Sequence, residues 1–587
     1  MVQYLISVID PKAHLFHVEM VINSPTKDQQ FWLPSWLPGS YMVRDFARNI
    51  IDIKAVDQNQ HSVTLIQLDK QTWQINQAVD TLTLSYQVYA WDLSVRSAHL
   101  DMTHGFFNGS SVFLAAKGLE SNEHQVVIQK PAQPELVDWR LATSMNRVTG
   151  EHFEFGQFSA KSYDELIDHP VEMGDFISHT FEANGIPHDI VLTGKHNTDL
   201  ERLSQDLKAI CEYQLNLFGG QQPFKRYLFL TTVLGNGFGG LEHRASTALM
   251  CSRSDLPYQG MQETTKGYRT YLSLCSHEYF HNWNVKRIKP EEFTPYQLQQ
   301  ESYTKQLWAY EGITSYYDDF ITYRAGTVDK QAYLDMFSET FTRVYRGQGR
   351  FIQSLKDSSF NAWTKFYKQD ENAANAIVSY YTKGALFALY LDLTIRSETN
   401  NHSSLDDVMR ALWTQFGETG IGTQSDSHQA IVEKLLNRNC DDIFACLDST
   451  DDIPLTPLLS EFGVELRSRS NKGVKDAGGS DVQGFNNDFG AKFKAESLGL
   501  KILTVINGSA AHQAGLSAGD LLLAADGLQV SADFENQIQQ YQHGETIKLH
   551  WFRRDELMQG DFPVKPAPFD TVSLLISDEQ KAASWLG

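Results

Sequence analysis

Two histidines four residues apart, with a glutamate directly after the first, form the strongest chemical signal in the sequence: Ser276-His277-Glu278-Tyr279-Phe280-His281. On a helix this spacing puts both imidazoles one turn apart on one face. His277 and His281 can then reach a single zinc ion at about 2.0–2.1 Å, and Glu278 stands beside them to take a proton from the water that such a metal activates. That is the geometry of metal-assisted peptide hydrolysis. The five-residue pattern also occurs by chance in helices that bind nothing, so it needs a third ligand. The next helix, Trp308-Ala309-Tyr310-Glu311-Gly312-Ile313-Thr314-Ser315-Tyr316-Tyr317-Asp318, offers one. Glu311 is preceded by apolar and aromatic residues and followed by glycine, a setting foreign to a solvated helix charge such as Glu301. Asp318 lies two turns further on the same face, where it could hold a histidine N–H or serve as a plain surface acid.

The elements that must carry these residues show in the apolar periodicity. Helical spacing predicts helices over 266–288, 304–325, 330–346, 384–397, 404–416 and 428–438, several of them starting after Asp, Ser or Thr. Before them Leu200, Leu203, Leu207, Ile210 and Leu215 mark a helix, Tyr227 to Leu234 a strand, and residues 235–240 a glycine-rich turn. From Val2 to about residue 165 the period is two. At Thr81 to Val88 the residues Leu82, Leu84, Tyr86 and Val88 face one way and their polar neighbours the other, as in a half-buried antiparallel strand. A polar, glycine-rich stretch from Arg467 to Gly490 precedes a last strand, short helix and strand at 500–525. The expected architecture is multidomain α+β: an N-terminal antiparallel β domain (1–165), a mixed and then mainly helical catalytic domain (166–455), and a small C-terminal domain (456–587).

Composition narrows the function. The 587 residues are 42 % hydrophobic, 12 % aromatic and 21 % charged, as in an ordinary folded protein of several domains. A net charge of −22 repels polyanions on average, which argues against nucleic acid and anionic membrane as partners. The most apolar run, Ala385 to Ile395, is too short to cross a bilayer and contains Asp392. Met1 to Asp10 reads as a strand rather than a leader, and the five cysteines are sparse, odd in number and never spaced C-x-x-C. Reduced thiols and a cytoplasmic location are expected.

His277-Glu278-x-x-His281 with Glu311 on a following helix resembles the gluzincin metallopeptidases, and within them the glycyl aminopeptidase family. That family joins an N-terminal β domain, a thermolysin-like catalytic domain and a C-terminal PDZ domain. Trp36-Leu37-Pro38-Gly39-Ser40-Tyr41 with Arg44-Asp45-Phe46 is similar to its N-terminal signature, readable physically only as a rigid turn. Gly508-Ser509-Ala510-Ala511 through Gly519-Asp520 resembles a bacterial PDZ domain. Gly239-Gly240-Leu241-Glu242-His243 resembles the Gly-x-Met-Glu-Asn strand of gluzincin aminopeptidases, with Leu for Met and His243 for Asn. The resemblance implies that Glu242 binds the substrate's α-amino group, and a fixed carboxylate does give an ammonium a charge-assisted bond. Tyr380-Tyr381-Thr382-Lys383-Gly384 resembles the stretch carrying the tyrosine that stabilises the tetrahedral intermediate, and Tyr381 is the residue that aligns. Leu498-Gly499-Leu500 resembles the loop with which PDZ domains capture a peptide's C-terminal carboxylate.

The reading is therefore a zinc aminopeptidase with one zinc ion per chain, held by His277, His281 and Glu311. Glu278 is the base, Tyr381 the oxyanion donor and Glu242 the anchor of the peptide's N-terminus. The resemblance implies a preference for N-terminal glycine or alanine. Peptides are the expected substrates, and a further peptide is the possible PDZ ligand. Two alternatives stay open: a zinc endopeptidase in which the PDZ domain delivers chain ends, and an inert peptide-binding scaffold.

Overall fold

The computed structural model describes residues 1–220 and 222–587. They form two compact units: Met1–Ser302 with Arg324–Val328 and Trp413–Gly422, and Tyr303–Tyr323 with Asp329–Leu412 and Thr423–Gly587.

The first unit begins with the strands announced by alternation. In Thr81–Tyr89 the side chains of Leu82, Leu84, Tyr86 and Val88 are buried and their neighbours half-buried, as a sheet with one face on a core requires. A seven-stranded sheet places Val2–Asp10 between Leu15–Asn23, antiparallel, and His124–Ile128, parallel. The all-antiparallel expectation is corrected at that pair. A parallel pairing needs a crossover, and the strands between Asn23 and His124 supply it. A five-stranded sheet follows, in the order Ile177–Ala183, Ile186–Thr193, Tyr227–Leu234, Ser246–Ser252, Phe238–Glu242. Its three central strands are parallel, and the helix Leu200–Leu217 connects two of them. Phe238–Glu242 is the antiparallel edge, paired only with Ser246–Ser252 among the described residues.

The second unit is mainly helical up to the helix Leu455–Glu461, inside which the expected boundary at 456 falls. Two strands, Val464–Arg469 and Thr571–Ile576, then pair with each other and seat on the helix Lys330–Arg346. The Val572 N–H donates to Thr342 Oγ1 at 2.9 Å and the Leu574 N–H to Ser338 Oγ at 3.0 Å. A separate small body is inserted between these strands. It has its own core of Phe489, Leu500, Ile502, Leu522, Leu549, Trp551 and Phe562 under strands from Ala491–Glu496 to Glu556–Pro563. The C-terminal helix Glu579–Leu586 returns to the helical part, where the Trp585 ring packs at an angle against Phe320 and Tyr333.

One expectation is corrected here. Leu498 is the exposed tip of a hairpin, and Gly499 and Leu500 open a strand paired with Ala491–Glu496 on one side and Leu521–Ala525 on the other. With both edges occupied, that segment cannot take an added peptide strand. Among the described residues the unpaired edge belongs to Ala491–Glu496, entered through Phe489 and Gly490, where Gly490 has φ +75°. Just before it, burial and then the neighbouring Asp570 charge push the Asp488 carboxyl up to about 6. A raised acid costs stability once ionised, so the penalty is absent below the ordinary value near 4 and complete above about 6. Asp488→Asn is expected to gain roughly 2 kcal/mol in urea unfolding at pH 8 and nothing at pH 4. Equal gains at both pH values would assign the effect to packing instead.

Candidate active site

The helix bearing the two histidines, Lys266–Phe280, is capped at its start by Thr265, whose side chain accepts the Tyr268 N–H. It ends at Phe280 rather than at 288, with His281 as its last, capping residue. The turn that replaces the expected helix has a local consequence. It brings the Asn284 carbonyl to 2.7 Å from His281 Nδ1, which must then donate, so that Nε2 carries the ring's lone pair. The same turn holds Val285 at φ 106°, a strained conformation for a β-branched residue. The His277 and His281 rings stand nearly perpendicular with centroids 4.6 Å apart. Two imidazole nitrogens one helical turn apart are donors suited to zinc, and a buried carboxylate such as that of Glu311 is the kind of third ligand such a site takes.

The edge strand Phe238–Glu242 runs against the same helix. A Cβ on Gly240 would overlap the Glu278 carboxylate, so glycine is what lets the strand's backbone approach the acid. Glu242 ends the strand and is 3 % exposed, and its Oε1 accepts no hydrogen bond among the described residues. Glu242, Glu278 and His281 also each present one atom within 4.8 Å of the others, all three residues being buried. Asp168 ties the segments that follow these residues. Its carboxylate lies 2.6 Å from Lys286 Nζ and accepts the Arg244 N–H at 3.0 Å, with His243 Nδ1 3.5 Å away. Burial alone would raise Asp168, but Lys286, Arg244 and His243 together hold it well below the usual carboxylate range. His243, standing where the resemblance has asparagine, is buried, and burial lowers its pKa from the ordinary value.

In the second unit, Trp308–Gly312 forms a π-helical turn leading into the helix Ile313–Arg324. Such a turn shifts the side chains on either side of it, and Glu311 sits within it, 2 % exposed. Gly312 meets Gly384 of the helix Thr382–Glu398 so closely that a Cβ on it would lie 2.6 Å from the Gly384 Cα. The glycines after Glu311 and after Lys383 therefore let these two elements cross backbone to backbone. Tyr381 caps the second of them and is half-buried, its hydroxyl 3.3 Å from that of Tyr367. Burial, then the Glu311 charge and the neighbouring phenols, raise the Tyr381 hydroxyl far above its ordinary value, which keeps it a proton donor. Tyr380 is fully buried, stacks on Tyr381 and packs at a tilt against Phe366. Asp318 lies two turns beyond Glu311, half-buried, with one oxygen accepting the Asp319 N–H.

Sequence reasoning passed over Tyr367, Asn284, Asp168 and Lys286. Only Asn284 had a local signal, a turn-forming residue three positions after a histidine.

Family models agree over most of the chain: the peptidase M61 N-terminal domain matches residues 3–175, the M61 glycyl aminopeptidase model residues 270–387, and a PDZ domain residues 487–562. An aminopeptidase N family protein from Idiomarina loihiensis is 44 % identical, with 100 % of each chain covered and a TM-score of 0.98. The chain belongs to the M61 glycyl aminopeptidase family, and it is a zinc aminopeptidase. A variant M1 zinc metallopeptidase from Deinococcus radiodurans bound to a Tyr-Ser-Ala substrate is similar at 13 % identity and a TM-score of 0.48, over 77 % of this chain and 94 % of that one. Comparison with curated protein sequences gave no match. Among the described residues no helix is long and apolar enough to cross a membrane.

Proposed function

We propose that this aminopeptidase removes small N-terminal residues, glycine or alanine, from peptides with a free amino terminus, using one zinc ion per chain held by His277, His281 and Glu311. The observation that carries the reading is the short distance between two buried acids: Glu242 and Glu278 present oxygens within 4.8 Å of each other. In a peptide the α-nitrogen and the carbonyl carbon of the first residue are about 2.5 Å apart. An ammonium held by Glu242 therefore puts the first peptide bond, and no later one, within reach of Glu278. The Oε1 of Glu242, buried and without a hydrogen bond among the described residues, is the acceptor such an ammonium would satisfy. The small-residue preference rests on the family's description as glycyl aminopeptidases.

Zinc, when bound, supplies Lewis acidity that polarises the scissile carbonyl and makes water a better nucleophile. Glu278 takes the proton of the attacking water and passes it to the leaving amine. Tyr381 donates its hydroxyl hydrogen to the oxygen that becomes negative, a bond that strengthens as charge develops. Asn284 fixes the His281 ring, and Asp318 is the acid on hand to hold a histidine N–H. The free-edge strand Ala491–Glu496 is the segment on which a further peptide would dock.

The deciding experiment is a panel of Gly-, Ala- and Leu-initiated peptides, free and N-acetylated, with and without a chelator, alongside zinc analysis. Cleavage confined to free Gly and Ala peptides and lost with the metal is expected, and equal rates on acetylated peptides would establish endopeptidase action. Tyr381→Phe should lower kcat by about 10²- to 10³-fold with KM nearly unchanged, while Tyr380→Phe should do far less. A mainly KM effect at Tyr381 would make it a substrate-positioning group.

A further inference from the structure

The segment of the N-terminal signature has a chemical role that its sequence does not reveal. Leu37-Pro38-Gly39-Ser40 is a tight turn in which the Ser40 N–H donates to the Leu37 carbonyl at 3.1 Å. Proline at its second position and glycine at its third, with φ +95°, are the residues a type II turn demands. Neighbouring contacts hold the turn rigidly. The Arg44 N–H donates to the Ser35 carbonyl at 2.7 Å, and Arg44 Nη2 donates to Ser40 Oγ at 2.9 Å. Trp36 is fully buried, its indole N–H reaching the carbonyls of Gln297 and Gln300 at 2.9 and 2.7 Å. Its ring packs against Phe293 and Tyr296.

Gly39 sits at the point of contact with Glu242. A Cβ built on Gly39 would lie 2.5 Å from Glu242 Oε1 and 2.5 Å from Oε2, so the turn meets the carboxylate end-on. Oε1 of Glu242 accepts no hydrogen bond among the described residues. Steric contact with the turn thus limits where the carboxylate can point. We propose that the Leu37–Ser40 turn of the N-terminal domain positions Glu242 and closes one side of the site that recognises the substrate's amino terminus. This rests on the reading of Glu242 as the ammonium anchor. Gly39 is a positioning residue: it acts by confining the acid to the side from which an ammonium can approach within reach of Glu278.

The test uses the full-length, zinc-loaded enzyme. Gly39→Ala should lower kcat/KM on a free glycyl peptide by about 10²-fold, since displacing an anchor by about 1 Å has effects of that order. Zinc content should stay unchanged. Alanine at positive φ is strained wherever it occurs, so Gly118→Ala, at φ +83° with nothing within 4 Å, serves as the control and should keep full activity. Shortening the acid should relieve the clash, so Gly39→Ala/Glu242→Asp is expected to regain about tenfold over Gly39→Ala although Glu242→Asp alone loses activity, a coupling that general instability would not produce. If Gly39→Ala does not fold, Pro38→Ala loosens the turn without adding bulk and should raise KM for free peptides several-fold with little change in kcat. Wild-type activity in Gly39→Ala, absence of relief in the double variant, or an unchanged KM in Pro38→Ala would each overturn the proposal. Glu242→Ala, assayed in parallel, separates the two readings. If it leaves the preference for free amino termini intact, the anchor itself is misassigned; if it abolishes that preference while Gly39→Ala does nothing, only the role of the turn fails.

Discussion

Replacing Glu278 with glutamine is expected to reduce peptide hydrolysis by about 10⁴-fold while zinc content stays near one ion per chain, because the change removes a base and not a ligand. Glutamine keeps the length and shape of the side chain, which matters here: Gly240 packs its backbone directly on the carboxylate, and a larger group would push the edge strand away. In the ligand set proposed above, His277, His281 and Glu311, Glu278 takes no part. His281→Ala should behave differently, losing metal and activity together. Kinetics and metal analysis on the same samples separate the two cases. A Glu278→Gln enzyme that still turns over would remove Glu278 from the mechanism, and one that lost its zinc would make it a ligand.

The chemistry was legible wherever it is local in sequence. His277 and His281 are one helical turn apart because the spacing is four, and the alternation at Leu82, Leu84, Tyr86 and Val88 is the alternation of a strand. What lay beyond reach depends on residues distant in the chain. The apolar period continues through Trp283 and Ile288, yet the helix stops at Phe280, because the Asn284 carbonyl turns back to His281. Tyr367 meets Tyr381, and Asp168 meets Lys286, across separations that carry no periodic signal. Leu498-Gly499-Leu500 misled because a glycine before a strand reads the same in a hairpin and in a peptide-binding loop, and only strand pairing tells them apart. The Leu37–Ser40 turn could be recognised as a turn from Pro38 and Gly39. That its glycine faces Glu242 could not.

Glu242→Ala is expected to lower kcat/KM on free peptides by about 10³-fold or more, since a site built around a buried charge rejects a substrate it can no longer pair with by factors of that order. The protein should fold nonetheless. A carboxylate 3 % exposed, with Oε1 accepting no hydrogen bond among the described residues, is a cost to the folded state until an ammonium arrives. Glu242→Gln, which removes the charge and keeps the volume, should therefore leave Tm unchanged or raise it by a few degrees, about what relief of 1 kcal/mol gives in a domain of this size. Activity and stability would then move in opposite directions at one residue, as expected where a fold stores strain for its substrate. Activity on free and N-acetylated peptides and thermal unfolding, measured on the two variants, check both halves. A large fall in Tm with a proportionate fall in activity would make Glu242 a structural acid. A preserved preference for free amino termini would show that the amino group is recognised elsewhere, and the short distance between Glu242 and Glu278 would lose its meaning as the ruler that selects the first peptide bond.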